Sequence, residues 1–446
     1  MSDAFRFLHA SDFHLEQPLY GVTEVPEDWK HWFVDAPLQA ARKVFETAVK
    51  EEVDFVVLSG DLIDPERSGP RAIAFLLDQF QMLHERGIAV YWAGGMVDRP
   101  DDWPPGLRFP ESVQFYPPNN VEEITHMAGE RPLASVYGQS RSTRSEIRLA
   151  DFDHTDHVIF AVAALNGRIE PASIARHRIN YWALGGEHER RTLTGLAATA
   201  HYPGSPQGRC PEETGPHGCT VVHVEDDGRI RLRFVPTDVV RWQREKIVTS
   251  ATASLGEIER VLFDRAKKLA SEADGRPQLV TFTVDGVDRW SVAARKPGGP
   301  QRMVEKLRDE FGRAKPPLWT LDVEFLRQDE QANAWFEEDT IRGDFLRAVR
   351  DARQDAALPL NVDNYLPDNR LPETLECDVT LGDLGVRHAV LEEAAVLGVE
   401  LLSAGDAGPH DRAATAVVEE TRTERKKSER NAGERVAGER RKESRG

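Results

Sequence analysis

Three apolar runs near the start of this chain each stop at a polar cluster carrying a carboxylate or an imidazole. Phe5–Ala10 ends at Ser11-Asp12-Phe13-His14, Phe55–Ser59 at Gly60-Asp61-Leu62-Ile63-Asp64, and Val90–Ala93 at Gly94-Gly95-Met96-Val97-Asp98-Arg99. Between them, Pro37–Glu52 sets Leu38, Ala41, Val44, Phe45, Ala48 and Val49 on one helical stripe. Residues 70–86 do the same with Ile73, Leu76, Leu77, Phe80 and Leu83 or His84. A β-α-β-α-β order demands parallel strands joined by crossover helices, so the fold class is predicted to be α/β. In such sheets chemistry gathers at the carboxyl ends of the strands, where these clusters fall.

Further strands are predicted at 157–163, Tyr181–Leu184, Thr220–His223 and Ile230–Phe234. The third of these follows a Cys219 that, with Cys210 and Cys377, makes an odd, unpaired cysteine set with no C-x-x-C. Beyond Trp242 the pattern changes. Ser254-x-x-Glu257 opens a helix running to about Ala273, Leu279–Val284 alternates as a strand, Pro300–Phe311 reads as a helix and Trp319–Phe325 as a strand. Helices are also expected at Phe345–Ala352 and 385–402. From Gly405 the chain is Ala-, Gly-, Glu- and Arg-rich with almost no large apolar residues, and is expected to be disordered.

With 446 residues and 40% apolar composition the chain can bury a substantial core. No apolar run approaches the length of a membrane span, and the N-terminus lacks the pattern of a signal peptide, so a cytoplasmic protein with no membrane partner is expected. The net charge of −18 argues against coating nucleic acid by bulk electrostatics. The last 26 residues run the other way, with ten Lys/Arg against five Asp/Glu, so any contact with DNA would be local.

A fourth strand end, Leu184-Gly185-Gly186-Glu187-His188, completes a set of carboxylates and imidazoles suited to a divalent cation such as Mn²⁺, Fe²⁺ or Zn²⁺. The order of these motifs resembles the calcineurin-like metallophosphoesterases, whose pattern runs D-x-H, G-D-x-x-D/H, G-N-H-D, a lone His, and G-H-x-H. It is most similar to the DNA-repair exonuclease branch of SbcD- and YhaO-like proteins. Phe7–Leu15, Asp54–Asp64, Tyr181–Gly185, and the loop Tyr202–Arg209 with Glu213-Thr214-Gly215 carry that likeness. It covers about residues 5–240, with a weaker likeness to a capping domain beyond. The resemblance implies a four-layer α/β/β/α sandwich over 1–240, a capping or DNA-recognition-like α+β domain over 241–375, a helical segment over 376–404 and the basic tail over 405–446.

The departures from the pattern are selective. The resemblance makes Asp12, His14, Asp61 and His188 the ligands of one metal, and all four are present. The private ligands of the second metal would stand at Met96, Asn166 and Gly186, and the proton-donating His would stand at Val97. A thioether and a bare glycine are poor donors to these cations, although Asn166 retains an amide oxygen. Asp98 and Glu187 stand near enough in sequence to be substitute ligands. Asp64 reads equally as a loop cap or a substrate contact, and Arg99, Arg141, Arg190 and Arg209 as phosphate contacts or, by default, solvated surface. His9 and His201 read as packed rather than ligating. One divalent metal is expected, Mn²⁺ first, with the second in doubt. The implied activity is phosphodiester hydrolysis in DNA repair, weakened by these losses. The alternative is a non-catalytic subunit docking DNA or an SbcC-like coiled-coil ATPase. A homodimer is also open.

Overall fold

The computed structural model describes residues 4–143, 146–152, 159–195, 197–250, 253–286, 299–326, 336–355 and 384–403. The predicted tail at 405–446 and Cys377 lie outside them. Strands β1 (Phe5–Ala10), β2 (Phe55–Leu58), β3 (Ala89–Trp92) and β4 (Val113–Phe115) pair in parallel. Helices α1 (Lys30–Lys50) and α2 (Pro70–Glu85) are the first two crossovers. A second sheet holds β5 (Glu122–Ala128), β6 (Arg131–Gly138), β7 (Phe160–Asn166), β8 (Tyr181–Gly185), β9 (Arg191–Leu193) and β10 (Thr199–Tyr202), in the order β5-β6-β7-β8-β10-β9. The chain then returns to the first sheet as β11 (Gly218–Val224) and β12 (Ile230–Pro236), antiparallel beside β1.

The two six-stranded sheets face each other across an aromatic core. Phe7 stacks on Phe55 with ring centroids 4.9 Å apart and meets Tyr181 of the other sheet edge-on at 5.2 Å. Val57, Val136, Phe160 and Val162 fill the rest of this layer. The outer face of the first sheet is covered by α1 and α2, through Val44, Phe45, Leu76 and Phe80. The outer face of the second buries Trp182 and Leu184 under Phe152 and Ile174, and among the described residues its α-helical layer is the single turn α3 (Pro171–Ile174). The result is the expected four-layer order. Both sheets carry their parallel strands' carboxyl ends toward one edge, because β2 and β8 lie face to face: a Cβ on Gly185 would fall 1.9 Å from Ser59 O. Only glycine fits there.

Two local features differ from the sequence reading. Helix α1 begins seven residues before Pro37, which sits inside it. Proline removes the N–H that would bond Phe33 O, a loss that normally breaks a helix. Here Leu19 N–H donates to Phe33 O at 2.8 Å, so the orphaned carbonyl is satisfied from outside. The hairpin β5–β6 was not predicted, because β5 is an exposed edge strand of polar sequence with no clean alternation.

The chain divides into two compact units. The first comprises residues 1–247, 256–284 and 300–324. It thereby includes a third sheet of β13 (Arg241–Val248), β14 (Gln278–Asp285) and β15 (Leu318–Phe325), with α4 (Leu255–Glu272) and α5 (Gly299–Phe311). Trp242 and Leu279 of that sheet share an apolar cluster with Leu19, Trp29 and Ala36. In the second unit α6 (Ile341–Gln354) and α7 (Leu384–Ser403) form a helical pair packed through Leu346, Ala395 and Val399. Arg387 donates to Ala352 O and Asp355 O, capping the carbonyl end of α6. No helix among the described residues is long and apolar enough to cross a membrane.

His9 and His201 are buried members of the core. His9 bonds Tyr181 Oη and Ser59 Oγ, and His201 bonds Thr192 Oγ1 at 2.8 Å and Thr220 Oγ1 at 2.9 Å. Burial, and secondly the charge of Arg190, push His201 down to about 3. The unfolded imidazole titrates near ~6.5. Between those values the unfolded chain binds a proton that the folded chain refuses, so stability is full above about 6.5 and falls as pH drops toward 3. Urea unfolding from pH 6.5 down to about 4 should show a smaller loss in His201→Gln than in the wild type; equal losses would exclude this role.

Candidate metal centre

Four of the strand ends that meet at this edge bring the candidate residues together. Asp12 and His14 follow β1, Asp61 follows β2, Asn166 ends β7, and Gly186 to His188 follow β8. Asp12, His14 and Asp61 all sit on left-handed backbone, at φ 58°, 45° and 56°. Such conformations cost non-glycine residues of order 1–3 kcal/mol and persist where surrounding structure enforces them. The enforcement is visible in the hydrogen bonds Asp12 N–H to Gly60 O at 3.0 Å and His14 N–H to Asp61 O at 3.1 Å, which lock the first two loops together.

Asp12, His14 and His188 each present a ligand atom, and these atoms all lie within 4.8 Å of one another. The Asp12 carboxylate accepts Ser11 Oγ and, on both oxygens, the Gly186 N–H at 3.1 Å. Gly186 reaches this position at φ +91°, a conformation that disfavours the His of the family pattern. His14 is 8% exposed, yet neither of its ring nitrogens has a hydrogen-bond partner. Its nearest acidic neighbour, Glu16 Oε1, is 3.6 Å from Nδ1. A buried imidazole orphaned at both nitrogens is costly unless something else binds it. Beside a second imidazole and a carboxylate, it fits a divalent metal. The charge balance agrees. Burial, and secondly Asp61, push Asp12 well above the usual carboxylate range, which a cation would reverse.

His188 is held from behind. Its Nδ1 bonds Glu213 Oε1 at 2.8 Å, and Nε2, the nitrogen left to ligate, faces Arg209 Nη2 at 3.0 Å. Burial raises Glu213, but the bond with His188 and the charge of Arg209 outweigh it and hold the carboxyl at about 2.

Asp61 stands outside the three-residue cluster. Its Oδ1 accepts Met96 N–H at 2.7 Å and Val97 N–H at 3.0 Å, and its Oδ2 accepts Asn166 Nδ2 at 2.9 Å. Asn166 Nδ2 also donates to Ser59 O at 3.0 Å. Both neighbours are acceptors, so the amide is oriented with its nitrogen toward Asp61 and its oxygen toward Gly186. Donors of the protein itself thus engage both oxygens of the carboxylate that the family pattern shares between two metals. Met96 points outward at 52% exposed.

The remaining candidates have other work. Asp98 is fully buried and accepts Asp61 N–H, Leu62 N–H, Gly95 N–H and Trp92 Nε1, tying the second loop to the third. Burial, and secondly Asp61, hold it up at about 7. Asp64 caps its own loop through Glu66 N–H and Arg67 N–H. Arg99 pairs with Asp102 at 2.8 Å, and Glu187 with Arg191 at 2.8 Å. Arg141 donates to Asn166 O at 3.1 Å, and Arg190 lies over the Phe234 ring. Arg209 overturns the expectation of a solvated side chain, being 2% exposed and in contact with His188. Glu16 and Glu213 were not singled out from sequence. The available signal was the Arg209-x-x-x-Glu213 spacing inside the matched loop. A cleft of about 520 Å³ opens beside His188, lined also by Arg190, Gly204, Glu213, His217 and Phe234. Cys210 and Cys219 are free and buried.

Two facing sheets thus carry a carboxylate–imidazole cluster at their shared edge. Residues 5–190 match the family model described as calcineurin-like phosphoesterase. A curated relative, the uncharacterized metallophosphoesterase YhaO of Bacillus subtilis (strain 168), is 28% identical over 340 residues, 73% of this chain and 82% of its own length. Among solved structures, a dimetal phosphatase from Danio rerio shares 12% identity over 52% of this chain and 96% of that one, at a TM-score of 0.35. Vacuolar protein sorting 29 from Cryptosporidium parvum shares 16% over the same fractions, at 0.25.

Proposed function

We propose that this protein is a one-metal phosphodiesterase of the DNA-repair exonuclease branch, turning over far more slowly than a two-metal enzyme. The observation that carries it is the Asp12, His14 and His188 cluster, with His14 orphaned at both nitrogens. A divalent ion held there, Mn²⁺ first, would supply Lewis acidity and a water acidified toward neutral pH. The chain's own residues hold that set in place. Gly186 N–H fixes the Asp12 carboxylate, Glu213 fixes the tautomer of His188, and Met96, Val97 and Asn166 hold Asp61 with neutral donors. Val97 offers no proton to a leaving group, a loss of about 10²–10⁴-fold. The DNA assignment rests on the likeness of the Tyr202–Arg209 loop and of the N-terminal motifs.

The absent proton donor and the engagement of Asp61 by three protein donors favour a second reading, a non-catalytic subunit that docks DNA or a coiled-coil ATPase. One experiment separates them. Metal analysis of the purified protein is expected to give close to one tightly held ion per chain. Mn²⁺-dependent cleavage of a chromogenic phosphodiester and of linear duplex DNA should then exceed a metal-only blank. One ion with no cleavage selects the subunit, and two stoichiometric ions remove the one-metal reading.

A further inference from the structure

Arg209 is a charged group of this centre that stands at none of the metal-ligand positions of the family pattern. It ends the buried loop from Tyr202. Its Nη2 lies 2.9 Å from His188 Nδ1, 3.0 Å from His188 Nε2 and 3.4 Å from Glu213 Oε1. Its Nη1 donates to Gln17 Oε1 at 3.0 Å, and its Nε–H is buried without a partner. Guanidinium stays protonated in proteins, so this is a permanent buried charge. Such a charge is costly unless closely paired. Glu213 pairs it only loosely, because the closer bonds of that carboxylate go to His188 Nδ1 and to the Arg209 backbone N–H, both at 2.8 Å.

The geometry points to Arg209 as the resident cation of the centre, a fixed positive charge against His188 that weakens the hold of the site on a divalent ion. The inference rests on the one-metal reading above. The guanidinium sits against Nε2, the nitrogen left to ligate once Nδ1 is taken by Glu213. Any ion bound at His188 therefore works against a fixed charge held by Gln17 and Glu213.

The test titrates the chelator-stripped full chain with Mn²⁺ alone, by calorimetry. Removing a unit charge beside a divalent ion is worth at least about tenfold in affinity at the effective dielectric of such sites. Arg209→Gln is expected to bind Mn²⁺ at least about tenfold more tightly than wild type. Arg209→Lys keeps the charge and should stay near the wild-type affinity. Arg209→Met, neutral and of comparable length, is the second neutral variant should the Gln protein fail to fold by circular dichroism. A neutral variant with unchanged or weaker affinity overturns the proposal. Equal weakening in the neutral and Lys variants identifies a purely structural arginine and also overturns it. Two ions in the wild type would instead refute the one-metal reading, whatever the variants do.

Discussion

Asp12→Ala and His188→Ala are each expected to lower Mn²⁺ affinity by at least about 100-fold, and to abolish whatever metal-dependent phosphodiesterase activity the wild type shows. Three donor groups converge in this centre, and loss of either one leaves two, too few to dehydrate and hold a divalent ion tightly. Asp61→Asn should cost less, because three protein donors already engage that carboxylate. Calorimetric titration with Mn²⁺ checks all three, and an Asp12→Ala protein that binds Mn²⁺ like the wild type would remove the centre as described. Circular dichroism on the same samples excludes unfolding as the cause.

The second large effect lies one step behind the ligands. Asp98→Ala is expected to destabilise the protein by about 3–5 kcal/mol in urea unfolding, the range for breaking a buried charged network. Its carboxylate accepts four donors in a fully buried setting, three of them backbone N–H groups of Asp61, Leu62 and Gly95. Alanine leaves those donors unsatisfied, at about 1–3 kcal/mol each before relaxation. Asp98→Asn keeps the shape but turns amide protons toward N–H donors, so an intermediate loss is expected. A loss under about 1 kcal/mol for Asp98→Ala would show that the loops hold without it.

The apolar periods of the chain were enough to predict most of its elements. Strands β1 to β3, β8, β11 and β12, and helices α2, α4 and α5, lie where hydrophobic spacing puts them to within a residue or two. That spacing reflects burial on one face, a property each segment carries locally. What failed locally was rescued from a distance. Pro37 lies inside α1 because Leu19, far from it in sequence, satisfies the carbonyl it orphans. The edge strand β5 pairs through its backbone, so its side chains gave no signal.

The candidate ligands were legible for a related reason. Asp12, His14, Asp61 and His188 each follow a strand, and the topology forces strand ends of one direction to a common edge. Sequence by itself therefore determined the fold class, the edge that bears the chemistry and the residue types gathered there. Only the tertiary structure decided how those groups divide. It set His14 without hydrogen-bond partners, bound Asp61 to Met96, Val97 and Asn166, and turned Arg209 inward onto His188. The physical reason is that ligand type is a property of one residue. Whether its lone pairs remain free depends on donors delivered by loops far apart in the chain.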